Sequence, residues 1–197
     1  MAEIEFLYDF GSPNAYFVHR AIPAQTSVTF RYTPVLLGGI FKATGNQSPM
    51  QAYGHIAAKF AYDRLEMQRF MTRYAITAFQ MNPHFPVNTL LAMRGAVAAE
   101  ALGCAPAYTE AVMAGMWEQG LKMDDPEVWA RAVSAAGLDA AALGAAVQDP
   151  EIKGKLVSNT ETAVARGVFG IPSFFHGDQL YFGKDRLRDV VEAARGE

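Results

Sequence analysis

The sequence predicts an α/β fold whose two β-containing ends flank a long all-helical insertion. Three observations carry that expectation. Residues 4–33 read as strand, helix and strand. Residues from about 50 to 157 are rich in Ala, Leu, Met and Glu, all good helix formers, and are cut by Pro and Gly breakers. The last forty residues return to β character around a Gly-Asp turn. At 197 residues the chain is one domain by length, or one domain carrying a large insertion.

Residues 4–10, Ile-Glu-Phe-Leu-Tyr-Asp-Phe, are apolar and aromatic over strand length. Gly11-Ser12-Pro13 ends that run. Ser12 is a good N-cap and Pro13 is favoured at the first helical position, so a helix is predicted from Pro13 to Pro23. Residues 27–33 alternate polar and apolar side chains, which predicts a second strand. This unit is a βαβ candidate with parallel strands and a right-handed crossover. Residues 35–50, with Gly38, Gly39, Gly45 and Pro49, read as loop. Beyond them, breakers at 82–86, 103–106, 124–126, 137 and 149–150 predict five or six helices. The run Leu90–Ala99 is apolar nearly all round and should be a buried central helix. Asn159–Arg166 reads as helix and residues 167–172 as a turn. Ser173–His176 and Gln179–Phe182 then form a hairpin about Gly177-Asp178, and a last helix runs from Asp185 to Ala194. This order is that of a thioredoxin-like domain with a large all-helical insertion. Residues 1–36 and 158–197 would form the two halves of the α/β domain and 37–157 the insertion.

Composition narrows the chemistry. A single cysteine, Cys104, excludes a disulfide scaffold, a CxxC pair and a cysteine zinc site, and fits a reducing compartment. His19, His55, His84 and His176 lie far apart without metal-binding spacing, so no metal is expected. A net charge of −3 without a basic tract argues against nucleic acid. No apolar run has the length of a membrane span and no basic region opens the chain, so a cytoplasmic protein is expected. Charged residues make up only 19%, which suggests apolar surface hidden in a ligand cleft or a dimer face.

Few residues carry chemistry on their own. Ser12 stands where a helix begins directly after a strand, with unpaired backbone N–H groups and the positive end of the helix dipole. It either caps its helix alone or also donates a hydrogen bond to an external thiolate. Pro172 follows Ile171 before a strand, where such a fold would hold a cis bond that turns the main chain of Ile171 toward the first helix. The alternative is an ordinary trans loop proline. Asp185 and Arg186 begin the last helix, as a cap and solvated charge or as groups for a ligand ammonium and carboxylate. Lys59, Tyr62, Glu66 and Arg69 share one helical face, which meets solvent or lines a cleft. Trp117 and Trp129 read as core or interface, and His84 as a loop residue that packs or, alternatively, as a proton carrier.

The order of five segments is more specific than any one of them. These are Tyr8–Pro13, Leu37–Phe41 with Thr44-Gly45-Asn46, His84–Thr89, Gly167–Pro172 and Phe182–Leu187. Together they resemble the 2-hydroxychromene-2-carboxylate isomerase family, kin of kappa-class glutathione transferases and DsbA-like oxidoreductases. The resemblance spans essentially the whole chain. It implies a homodimer that binds glutathione and interconverts 2-hydroxychromene-2-carboxylate and trans-o-hydroxybenzylidenepyruvate, a step of naphthalene breakdown.

By that resemblance Ser12 holds the glutathione sulfur as thiolate, and Ile171 with Pro172 pairs with its peptide backbone. Asp185 and Arg186 engage the γ-glutamyl end, and Asn46 and Lys59 sit near the thiol and glycyl ends or the organic substrate. Lys59 or Arg69 would take the carboxylate of the aromatic keto acid. Glutathione then serves as a borrowed, transient nucleophile. One departure is that the family's Lys and Asp, seven residues apart, read here as Lys59 and Glu66. The alternatives are a kappa-like glutathione transferase or peroxidase with another electrophile, and a non-catalytic thioredoxin-like binding protein. A dithiol oxidoreductase is excluded, because Ser12-Pro13-Asn14-Ala15 occupies the place of CxxC.

Overall fold

The computed structural model describes residues 2–196. Four strands form one sheet: β1 (Glu3–Tyr8), β2 (Thr29–Pro34), β3 (Ser173–His176) and β4 (Gln179–Phe182), in the order β2-β1-β3-β4. β1 runs parallel to β2 and antiparallel to β3, and β3 runs antiparallel to β4. The N-terminal βαβ unit is present, with α1 (Pro13–Ala21) as its crossover helix. β1 stops at Tyr8, two residues short of the apolar run. There Asp9 turns its side chain onto the backbone, its Oδ1 accepting from Gly11 N at 2.8 Å. The hairpin forms about Gly177-Asp178, with Gly177 at φ +56°.

Residues 35–50 are not loop. They hold α2 (Leu37–Thr44) and the start of α3 (Pro49–Tyr53). Two glycines in the first turn of α2 hid the helix. Gly39 instead serves close packing, because a Cβ there would lie 3.1 Å from the methyl of Thr160. Gly45, left-handed at φ +68°, ends α2. α3 begins with a capping box of Ser48 and Gln51.

The rest of the helical layer comprises α4 (Ala57–Arg73), α5 (Leu90–Ala101), α6 (Ala105–Trp117), α7 (Pro126–Ala135), α8 (Ala140–Ala146) and α9 (Pro150–Ala165). With α3 that makes seven helices among the described residues rather than five or six. Side chains of Asp125, Asp139 and Asp149 cap α7, α8 and α9. α9 is one helix from Pro150, so it runs unbroken past residue 157 instead of starting near Asn159. α10 (Leu187–Arg195) closes the chain.

One apolar core joins the sheet to the helices. α5 is buried over Ala92–Met93 and Gly95–Ala99, as its all-round apolar sequence requires. Trp117 and Trp129 are both buried. The Trp117 indole N–H donates to Phe10 O at 2.8 Å, which ties the helical layer to the end of β1. His84 is exposed, which corrects its reading as a packed loop residue. Its turn is held instead by the buried Asn82 side chain, whose Oδ1 accepts from His84 N at 2.8 Å. No helix among the described residues is long and apolar enough to cross a membrane.

Candidate functional site

The end of β1 delivers Ser12 to the start of α1. Ser12 has extended backbone angles, φ −97° and ψ 113°, and its Oγ accepts from Ala15 N at 3.2 Å. It therefore does cap its helix. The hydroxyl proton goes elsewhere, donated to Ile171 O at 3.2 Å. Ser12 is 4% exposed, so few groups reach it. The peptide between Ile171 and Pro172 is cis. Ile171 lies beyond the β1–β3 ladder, whose last pair is Leu7 with Ser173.

The turn before Pro172 is held from several sides. Ser173 Oγ donates to Gly170 O at 2.8 Å, and Gly183 N donates to Pro172 O at 2.9 Å. Gly170 packs directly on Phe182, whose ring would have to shift for a Cβ placed 2.8 Å away. Asn46 reaches this turn, its Nδ2 donating to Phe169 O at 2.7 Å. The structure therefore brings Ser12, Ile171, Pro172 and Asn46 around one turn.

Asp9 organises the other flank, a residue that sequence reading left inside a motif without a role. It is buried, and its Oδ2 accepts from Leu37 N at 2.7 Å, so it clamps the start of α2 against the Ser12 loop. Burial raises its pKa, opposed by the N–H groups of Gly11 and Leu37 and by the Thr89 hydroxyl.

The charged residues gather on a second wall. Glu66, Arg69, Phe70 and Arg73 of α4 meet Asp185 around a cavity of about 280 Å³. Glu66 pairs with Arg69, and the Tyr62 hydroxyl also bonds to Glu66. The Arg69 hydrogen bond is the main cause that lowers the Glu66 pKa. Lys184, 5% exposed, sits over the Phe70 ring and donates to Asp185 Oδ1 at 2.7 Å. Lys59 is bound instead to Asp63, one turn on, at 3.0 Å, and lies over the Tyr53 ring. Arg186 pairs with Asp189 and does not line this cavity. Arg73 was not singled out from the sequence, and Lys184 stood only within the segment of Asp185 and Arg186, without a role of its own. A cavity made where α4 meets the turn before α10 leaves no local spacing signal.

Chemically the arrangement offers three things. A hydroxyl donor stands at a helix N-terminus, where negative charge is favoured. A peptide unit, Ile171, remains outside the sheet. A cavity combines acceptors, Glu66 and Asp185, with guanidinium donors, Arg69 and Arg73.

Comparison with known proteins agrees with this architecture. Residues 3–195 match the DsbA-like thioredoxin domain. The chain is 27% identical over 198 aligned positions to a 2-hydroxychromene-2-carboxylate isomerase of Pseudomonas putida, covering 98% of this chain and 94% of that one. It is 28% identical to a protein of the same name from Sphingobium xenophagum, with 96% of each covered. A solved 2-hydroxychromene-2-carboxylate isomerase superposes with a TM-score of 0.82 at 27% identity, over 98% of this chain and 94% of that chain. A probable DsbA oxidoreductase from Streptomyces coelicolor shares the fold, with a TM-score of 0.72 at 17% identity over 100% of this chain and 91% of that chain.

Proposed function

Because the chain belongs to the DsbA-like thioredoxin domain family, we propose that it is a glutathione-dependent isomerase that interconverts 2-hydroxychromene-2-carboxylate and trans-o-hydroxybenzylidenepyruvate. The likeness to named isomerases over nearly the whole chain supports the reaction. The observation that carries the glutathione reading is the hydrogen bond from Ser12 to Ile171 O. It sets a hydroxyl proton beside a peptide unit that lies outside the sheet, at the N-terminus of α1.

The residues fit a tripeptide thiol. Ser12 turns its proton from Ile171 O to the sulfur, and the helix end favours the anion. Ile171, freed from that bond, pairs with the central peptide of the ligand. The γ-glutamyl end carries an ammonium and a carboxylate. Asp185 and Glu66 accept from the first, while Arg69 and Arg73 donate to the second. Arg186 supports the same end through the turn it shares with Asp185. Asn46 fixes the 167–172 turn and faces the thiol side. When bound, glutathione supplies a sulfur nucleophile that adds to, and then leaves, the double bond conjugated with the keto acid. Lys59, on its flexible stem, exchanges Asp63 for the substrate carboxylate.

The same reading includes a homodimer and a cytoplasmic setting. Met50 and Tyr53 of α3, Ile56 between the helices, and Tyr62 and Leu65 of α4 are exposed large apolar side chains, surface for a second copy to cover. The single cysteine suits a reducing compartment.

The test mixes the protein with the chromene acid, with and without glutathione, and follows the ultraviolet spectrum and the free thiol. Spectral conversion that needs glutathione but leaves its concentration unchanged is expected. Loss of glutathione with a general electrophile, and no conversion, would mark a transferase. No glutathione binding at all would leave a thioredoxin-like binding protein.

A further inference from the structure

A second cavity, of about 360 Å³, opens between the start of α5, the Lys122–Pro126 turn and the end of α8. It shares no lining residue with the Ser12 turn or the α4 wall. Its walls are Leu90, Leu91, Pro126 and Val147, with Asn88, Arg94, Asp124 and Gln148 between them. Four polar groups there have bonding capacity left over. Arg94 makes no hydrogen bond or ion pair among the described residues, although Asp124 lines the same cavity. The Oδ1 atom of Asp124 is buried and accepts no hydrogen bond, with Lys122 Nζ 3.5 Å away as an ion pair. Asn88 spends its oxygen on Leu90 N, and Gln148 spends its oxygen on Lys153 Nζ. Both residues are exposed at the cavity rim, where their amide NH₂ groups, without a partner among the described residues, are open to solvent or a ligand.

A buried carboxylate oxygen ordinarily accepts a hydrogen bond, so Asp124 Oδ1, beside the half-buried and unpaired guanidinium of Arg94, marks space for a ligand. We propose that this cavity binds a small carboxylic acid with a hydroxyl group on an apolar body. The carboxylate faces the guanidinium of Arg94 and the amides of Asn88 and Gln148, a set of donors only. The hydroxyl donates to Asp124 Oδ1. A hydroxyl fits better than an ammonium there, because Lys122 already offsets the charge of Asp124. The apolar body lies on Leu90, Leu91 and Val147. The volume suits a molecule of about a dozen heavy atoms, at the small end of ligand sites.

This site does not depend on the glutathione reading. Calorimetric titration of the whole protein with 3-phenyllactate tests it, beside 3-phenylpropionate, which lacks the hydroxyl. Saturable binding of 3-phenyllactate is expected, with 3-phenylpropionate several-fold weaker. Arg94→Gln should weaken 3-phenyllactate about tenfold or more. Asp124→Ala, which removes the acceptor, should erase the preference for the hydroxyl acid, and Ser12→Ala should change nothing. Should Arg94→Gln fail to fold, the two-ligand comparison and Asp124→Ala still decide. The proposal is overturned by no saturable binding, by equal binding to a folded Arg94→Gln variant, or by binding that Ser12→Ala abolishes.

Discussion

The hydroxyl of Ser12 donates to the carbonyl of Ile171 over 3.2 Å, across 159 positions of sequence. The same oxygen accepts from Ala15 N, so one side chain caps α1 and bridges to the 167–172 turn. Ser12→Ala removes both. Loss of the cap costs about 1 kcal/mol. Removing a donor aimed at developing charge costs about a hundredfold in rate. Isomerisation at saturating glutathione should fall by that order, while the melting temperature drops only a few degrees. A variant with wild-type turnover would remove Ser12 from the reaction.

Asp185 joins the buried ammonium of Lys184 to the α4 cavity. Asp185→Asn keeps an oxygen for Lys184 but removes the negative charge offered to a ligand ammonium. A hydrogen bond to a charged group contributes about 1.5–3 kcal/mol, or roughly tenfold and upward in affinity. The glutathione concentration for half-maximal rate should rise at least about tenfold, with the rate at saturation little changed. A fall in the saturated rate with unaltered glutathione affinity would place Asp185 outside the binding wall.

What could be read from the chain followed locality. A strand, a capping serine and a proline at the first helical position are adjacent in sequence, and α1 starts where they say. The hairpin about Gly177-Asp178 is equally local. α2 was hidden because its glycines lower helix propensity, and packing on α9 overrides that. Its start is held by Asp9, 28 positions back, which no local motif announces. The likeness to a family suggested Asp185 as a ligand-binding residue, but Arg73 emerged only where α4 approaches the turn before α10. Lys59 shows the limit of helical spacing. Its face matches that of Glu66, yet its ammonium prefers Asp63, one turn away.

Gly95 offers a test of packing away from the site. It lies mid-helix in α5, where alanine would ordinarily gain about 1 kcal/mol. Here a Cβ would fall 2.0 Å from the hydroxyl of Tyr108. That hydroxyl is fixed, donating to Ala92 O at 2.9 Å and accepting from the Trp129 indole N–H at 2.8 Å. Overpacking a filled core costs about 1–3 kcal/mol. Gly95→Ala should therefore destabilise the fold by about that much in urea denaturation, and a neutral or stabilised variant would contradict the contact.

Glu110 gives the stability a pH dependence of known sign. Its carboxyl is held down at about 2, first by the hydrogen bond from His19 and then by Arg20, against the opposing effect of burial. Arg20 binds both of its oxygens, at 2.8 Å each. The unfolded chain has an ordinary glutamate, with a value of 4.5. Above that value the group is ionised in both states and its stabilisation is fully present. Between 4.5 and about 2 only the unfolded chain takes up the proton, so the stabilisation is lost as pH falls. The Glu110 side chain is half exposed, so solvent screening limits the effect to about 1 kcal/mol or less. Glu110→Gln should thus be less stable than the native chain at pH 7. Urea midpoints at pH 7, 4 and 3 should converge toward acid, and the gap should also shrink in high salt. A gap of the same size at pH 7 and pH 3 would mean that Glu110 acts through packing rather than charge.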